Sequence, residues 1–147
     1  MKNFAVFFVT SLISVSAFAD FSGQWQGRGN YADVENYTEM CSSIKLDLAQ
    51  TATAFTVNSG EFECESLKIT LKPFTFNVQD GEIIDKDGNL LGSVDDTYFF
   101  AKVTDPQLQW TSTYQVEITA DGMEYKQTTV DTDGKIVFTL DGLLQKP

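Results

Sequence analysis

The chain has 147 residues, a formal net charge of −11 at neutral pH, and no histidine. Its length fits one domain with a real core, and its acidity argues against nucleic acid or an anionic membrane surface as a partner. The lack of histidine removes the commonest general base and most zinc and haem sites, so the sequence favours a non-enzymatic protein without a cofactor or metal.

The first 19 residues have the composition of a secretory signal peptide. Lys2 is followed by an apolar run over residues 4–15, and the small residues Ala17 and Ala19 end the segment. This order is typical of a cleaved leader, whereas the apolar run is too short for a membrane span. We expect cleavage after Ala19, a mature domain over residues 20–147, a periplasmic or secreted location, and no membrane association.

Residues 21–30 predict the first strand of the domain. Glycines recur at positions 23, 27 and 29, and repeated glycine in a strand indicates tight bends or close backbone contacts. Trp25 shares parity with Phe21, so both side chains should point inward. We therefore assign structural roles to Gly23 and Trp25, with Trp25 inside the fold near its closed end.

The same segment carries a family resemblance. The pattern Gly23-x-Trp25-x-Gly27-x-Gly29, with Tyr31 shortly after, resembles the opening of nitrobindin-type barrels, and its first half resembles the Gly-x-Trp motif of lipocalins. The resemblance implies an up-and-down barrel that holds a small ligand. It does not imply haem binding, because the haem-binding histidine is missing. The late arginine that lipocalins place against the tryptophan is missing too.

The segment that follows the first strand fits two patterns. Apolar residues recur at helical spacing from Val34 to Leu48, with Asp33 available as an N-cap. Alternate positions from Met40 to Leu48 also fit a strand. The pairing of the cysteines favours the strand, beginning at Met40 and preceded by one helical turn over residues 33–36.

Cys41 and Cys64 predict a disulfide bond. If residues 51–54 form a turn, Leu48 opposes Val57 and Cys41 opposes Cys64, at a separation that disulfide geometry can use. Two cysteines in a chain bound for an oxidising compartment are expected to pair. The sequence therefore predicts a β-hairpin closed by this bond.

Residues 67–78 predict two strands rather than one. The alternation of apolar residues changes parity between Leu71 and Phe74, and Pro73 lies between them. A proline together with a parity change indicates a bulge or a break, because proline cannot donate a ladder hydrogen bond. We expect the chain to interrupt its pairing at this point.

Two aspartate-rich segments, which begin at Asp85 and Asp131, invite comparison with calcium-binding loops. An EF-hand loop needs glycine at its sixth position and a distal glutamate, but here the sixth position holds Leu90 or Ile136. Asp-Gly pairs are also what tight hairpins require. We interpret both segments as turns.

Residues 108–119 give the clearest strand of the chain. Even positions are mostly apolar and odd positions are polar, as expected for a half-buried strand. Turns at residues 104–107, 121–122 and 131–134 predict an antiparallel meander of four strands. The predicted partners are Ala101 with Trp110, Ile118 with Tyr125, and Tyr125 with Leu140.

The inward face of that meander supplies the candidate ligand site. It places polar side chains among large apolar ones, and buried polar groups need partners, whether one another, water or a ligand. We assign the apolar contact to Trp110 and the orientation of a polar group to Tyr114 and Gln127. The predicted ligand-binding residues are Phe99, Trp110, Tyr114, Tyr125, Gln127 and Phe138.

Together these elements predict an all-β fold: a single antiparallel up-and-down β-barrel of about eight to ten strands, lipocalin-like or similar to fatty-acid-binding proteins. The function expected of it is non-enzymatic binding or transport of a small hydrophobic or amphipathic molecule. Two alternatives stay open. One is a secreted protein-interaction or inhibitor module with a filled barrel. The other is a small outer-membrane barrel, for which several strands look too short.

Overall fold

The computed structural model describes residues 20–35 and 37–147, so the predicted signal peptide lies outside the described residues. Among the described residues, no helix is long and apolar enough to cross a membrane. The described part of the chain forms eleven β-strands: β1 (Gly23–Asp33), β2 (Thr38–Gln50), β3 (Ala54–Cys64), β4 (Lys68–Leu71), β5 (Phe74–Gln79), β6 (Glu82–Ile84), β7 (Leu90–Val94), β8 (Tyr98–Thr104), β9 (Thr111–Thr119), β10 (Gly122–Val130) and β11 (Ile136–Gln145).

The strands close into a ten-stranded antiparallel barrel. Neighbours in the chain are neighbours in the sheet, and β11 pairs with β1 to close the ring. β4 shares one position of the ring with β5, because β4 pairs with the second half of β3 and β5 with the first half. The break between them falls at Pro73. The predicted up-and-down barrel and the predicted interruption are both confirmed.

The barrel has two distinct ends. Because successive strands run antiparallel, the β1–β2, β3–β4, β6–β7, β8–β9 and β10–β11 connections share one end, named here the open end. At the opposite, closed end Phe21 is fully buried and Trp25 is 6% exposed. The indole Nε1 of Trp25 donates a hydrogen bond of 2.7 Å to the carbonyl oxygen of Phe21. The inward placement of Trp25 is confirmed.

The glycines of β1 allow a close approach to β11. A Cβ atom on Gly27 would overlap the carbonyl oxygen of Leu143, and one on Gly29 would overlap that of Asp141. A side chain at either position would push the two strands apart where they close the barrel. Repeated glycine in this strand therefore reflects backbone contact, as the sequence predicts.

The disulfide-bonded β2–β3 hairpin has both of the predicted residue pairs. Leu48 pairs with Val57, and Cys41 pairs with Cys64 and is bonded to it. Between these two pairs, a bulge between Asp47 and Leu48 shifts the register, and Leu46 pairs with Gly60. The residues before β2 form a turn among those described, and position 36, part of the expected helical turn, lies outside them.

The predicted register of the meander is wrong, although its faces are right. Tyr125 pairs with Val116 on β9 and with Gly142 on β11, each two residues from the predicted partner. Ala101 pairs with Tyr114 rather than with Trp110. All these shifts are even, so the same side chains still point inward.

The connections explain the shifts. Between β8 and β9 the backbone N–H of Asp105 donates to the carbonyl of Trp110, which closes a longer connection than a four-residue turn. As a result β9 begins at Thr111 rather than Leu108. The β10–β11 connection is likewise closed by a hydrogen bond from Asp131 to Lys135.

Candidate functional site

Aromatic side chains fill the half of the barrel nearest the closed end. The rings of Phe55 and Phe99 stack with their centroids 4.2 Å apart. Phe76 lies 5.5 Å from Phe99, and Phe21 lies 5.7 Å from Phe55. Offset and edge contacts of this kind are the favourable arrangements for aromatic rings. They leave little empty space in this half of the barrel.

A small cavity, named here the interior cavity, lies against the aromatic cluster. Its volume is about 30 Å³, and its wall is made of apolar and aromatic side chains from β2 to β10, Phe99, Tyr114 and Tyr125 among them. A single water requires roughly 10–15 Å³ by the same measure. The interior cavity therefore has room for one or two waters but not for an acyl chain or a ring.

A larger concavity, named here the vestibule, lies in the barrel wall toward the open end. Its volume is about 430 Å³, which falls in the usual range for small-molecule sites. Its apolar wall comes from β5 to β9, and its rim is polar. The side chains that form it are Phe74, Thr75, Phe76, Asn77, Ile84, Asp85, Lys86, Leu91, Val103 and Tyr114.

The vestibule exists because β6 is too short to cover β5. β5 has six residues, but β6 pairs with it only from Asn77 to Gln79. The described strands therefore leave the segment from Phe74 to Phe76 without a partner on that side. The chain turns back at residues 85–89, and the wall stays open between β5 and the β7–β8 pair.

Three side chains belong to both spaces. Phe74, Phe76 and Tyr114 line the interior cavity and the vestibule alike. Phe74 is half-buried, follows directly after the break at Pro73, and meets Phe76 edge-on with ring centroids 5.3 Å apart. The vestibule and the interior cavity therefore share these three residues as a common wall.

The polar side chains of the interior form a connected chain. The hydroxyl of Tyr125 donates to the side-chain oxygen of Gln127 at 2.8 Å, and the amide of Gln127 donates to Thr129 at 3.4 Å. The hydroxyls of Thr129 and Ser112 lie 2.8 Å apart. Gln127 and Thr129 are buried, and these bonds satisfy them as buried polar groups require.

Two tyrosines beside the interior cavity keep their protons at neutral pH. Burial raises the pKa of the Tyr114 hydroxyl, and a hydrogen bond with Ser112 opposes that shift. Burial raises the pKa of Tyr125 well above its ordinary value, and the nearby Tyr114 adds to the effect. Both hydroxyls therefore act as uncharged hydrogen-bonding groups in an apolar setting.

The structure distributes the predicted ligand-binding residues over several places. Phe99, Tyr114 and Tyr125 line the interior cavity, and Tyr114 reaches the vestibule too. Gln127 belongs to the polar chain. The other two, Trp110 and Phe138, line neither space.

Phe138 and Trp110 are both found toward the open end. Phe138 stacks on Tyr31 with ring centroids 6.1 Å apart. Trp110 is half-buried in the β8–β9 connection and lines neither the interior cavity nor the vestibule. The six predicted residues therefore do not converge on one space.

Sequence reasoning missed the buried acid Glu39 and, apart from Tyr114, the residues that make the vestibule. Phe74 could have been found, because the change of parity at Pro73 already marks a place where the wall is interrupted. Glu39 could not, because a bulge after Cys41 reverses which side chains of β2 point inward. Glu39 is 3% exposed as a result.

The aspartate-rich segments are turns, as predicted. Asp85 accepts backbone N–H hydrogen bonds from Asp87 and Asn89, both at 2.8 Å. Asp131 accepts the equivalent bonds from Asp133 at 3.0 Å and Lys135 at 2.9 Å. Within the described residues, no cluster of three or more side chains is arranged to hold a metal ion.

The closed ten-stranded barrel is compatible with a calycin-like fold. No protein-family model and no curated protein sequence matches this chain.

Proposed function

We propose that this protein binds a small hydrophobic or amphipathic molecule through the vestibule, as an exported carrier without catalytic activity. The observation that supports the proposal is that Phe74, Phe76 and Tyr114 line both the vestibule and the interior cavity. The disulfide between Cys41 and Cys64 is compatible with export, because such bonds persist in oxidising compartments.

The shape of the site favours an apolar body with a polar end. Leu91, Val103 and Phe74 offer apolar contact, while Asp85 and Lys86 stand at the rim. Small-molecule sites commonly combine a mostly apolar wall with a few polar groups that fix orientation. The interior cavity receives part of a longer ligand only when Phe74 moves aside, since its present volume is about 30 Å³.

A neutral fluorescent probe, N-phenyl-1-naphthylamine, tests the proposal. The purified protein should bind it saturably, with a rise in emission. Leu91→Asp places a charge in the vestibule wall and should weaken binding by about tenfold or more, equivalent to about 1.4 kcal/mol. Leu90→Asp is the matched control, because Leu90 is the preceding residue, is 65% exposed and does not line the vestibule.

Phe74→Ala gives an independent check. Removal of this ring joins the two spaces and should tighten the binding of a probe with a longer apolar body. The proposal fails if the wild-type protein shows no saturable binding, or if Leu91→Asp and Leu90→Asp bind the probe equally well.

A second candidate is a protein-interaction module with a filled barrel. The small interior cavity favours it, and so do large apolar side chains exposed at the open end: Val34, Tyr37, Leu108 and Ile136, each between 45% and 57% exposed. Exposed apolar patches mark interaction surfaces when they are contiguous. A protein that binds no probe in the vestibule would leave this candidate as the better account.

A further inference from the structure

Glu39 lies inside the barrel at the open end. It stands on β2 directly opposite Tyr31 of β1, and its side chain is almost fully buried. One carboxylate oxygen, Oε2, accepts a hydrogen bond of 2.8 Å from the backbone N–H of Ser66. The other, Oε1, is buried and has no hydrogen-bond partner among the described residues.

A buried carboxylate oxygen without a donor is energetically unfavourable. The aspartates of the neighbouring connections avoid this situation, since Asp85 and Asp131 each accept two backbone hydrogen bonds near the surface. A lysine at the start of β4 does not compensate Glu39 either. The Nζ atom of Lys68 lies 3.1 Å from Glu61 and 3.2 Å from Glu63.

An aromatic residue, Tyr31, is the cross-strand partner of Glu39. Tyr31 faces Glu39 across the strand pair, and its ring is stacked on Phe138 with 24° between the ring planes. The pKa of the Tyr31 hydroxyl is raised, first by burial and then by the negative charges of Asp33 and Glu39. A carboxylate next to an aromatic face is a combination that attracts an organic cation.

From this geometry we infer that Glu39 and Tyr31 form a site for the ammonium group of an amphipathic amine. The inference rests on the proposed function, because the apolar part of the amine would occupy the apolar site proposed for the carrier. An ammonium N–H would donate to Oε1, and the cation would lie against the ring of Tyr31. The acidic chain, with a net charge of −11, raises the local concentration of cations.

The route to the carboxylate is through the open end. Tyr31 is half-buried near the end of β1, whereas Tyr37 and Met40 on the same hairpin are each 51% exposed.

Calorimetric titration with octylamine and octan-1-ol tests the inference, because the two probes share a chain and differ in charge. The wild-type protein should bind octylamine at least tenfold more tightly than octan-1-ol. Glu39→Gln should remove that preference while leaving the affinity for octan-1-ol within twofold. Glu35→Gln, which removes the same charge from an exposed residue of the adjacent connection, should leave the preference intact.

The outcomes separate this inference from the proposed function. If octan-1-ol and the fluorescent probe bind but octylamine binds no more tightly, the ammonium site is refuted and the carrier proposal stands. The same holds if Glu39→Gln keeps the preference. If no apolar probe of any charge binds the wild-type protein, both proposals fail. The wild-type comparison needs no variant, so it decides the question even if Glu39→Gln does not fold.

Discussion

The hydroxyl of Tyr125 donates a 2.8 Å hydrogen bond to the side-chain oxygen of Gln127, two residues further along β10. Both side chains are buried, and the bond begins a chain that continues to Thr129 and Ser112. These polar groups satisfy one another, so they are stable inside the barrel without a bound ligand. The case for an apolar ligand therefore depends on the vestibule and not on this chain of polar side chains.

Tyr125→Phe tests the strength of this chain. The change keeps the ring but leaves the oxygen of Gln127 buried without its donor. We expect the free energy of unfolding to fall by about 1–3 kcal/mol, measured by urea denaturation.

The matched control is the double variant Tyr125→Phe with Gln127→Leu. Replacement of both partners by apolar side chains should recover most of the loss, because no acceptor is then left unsatisfied. A single variant as stable as the wild-type protein would show that the hydrogen bond makes no net contribution.

The inward set of β8–β11 could be predicted from sequence because side-chain direction depends only on parity. Tyr125, Gln127 and Phe99 point inward even though every predicted pairing between these strands is wrong by two or four residues. Parity survives an even shift, whereas register depends on the length of each connection. Trp110 is the residue for which the predicted position is wrong, because the longer β8–β9 connection places it outside the strand.

The candidate site itself could not be predicted in the same way. The vestibule depends on the different lengths of β5 and β6. β6 ends at Ile84, opposite Asn77, and leaves the first three residues of β5 unpaired on that side. This is a relation between two strands, and neither strand shows it in its own sequence pattern. The inward position of Glu39 depends on a bulge after Cys41. A bulge adds one residue to one strand, reverses its parity, and leaves no clear signal in composition.

The disulfide bond should be an important source of stability. Cys41 and Cys64 are 23 residues apart in the chain, and closing a loop of this size stabilises a protein by about 3 kcal/mol through the unfolded state. Cys41→Ser should lower the free energy of unfolding by that amount in urea denaturation. Reduced wild-type protein should match the variant. A decrease in the free energy of unfolding of less than about 1 kcal/mol would show that the β2–β3 hairpin keeps its strand pairing without the bond.

Gly29→Ala tests the contact that closes the barrel. The added Cβ would overlap the carbonyl oxygen of Asp141 on β11, and backbone cannot yield as a flexible side chain does. We expect a destabilisation of about 3 kcal/mol or more. Gly134→Ala is the control, because its Cβ meets open space and its strain comes only from a φ of +77°, which costs about 1–2 kcal/mol. Equal losses in thermal or urea unfolding would contradict the close-contact account.

Asp95 should make the stability of the closed end depend on pH. Its carboxylate accepts backbone hydrogen bonds from Thr97 and Tyr98, both at 2.8 Å, and these bonds hold its pKa below the ordinary value of 3.8. A folded-state pKa below the unfolded one means that the stabilisation is present at neutral pH. It is lost as the pH falls through about 4 and below.

The variant Asp95→Asn keeps a neutral acceptor but removes the titrating charge. It should be less stable than the wild-type protein at pH 7, and the difference should shrink toward pH 2–3 as the wild-type carboxylate is protonated. Asp96→Asn removes the same charge from the next, exposed residue, so it reports the effect of net charge alone. Urea denaturation from pH 7 to pH 2.5 measures all three proteins. If Asp95→Asn and Asp96→Asn follow the same curve, the hydrogen bonds of Asp95 do not couple protonation to folding.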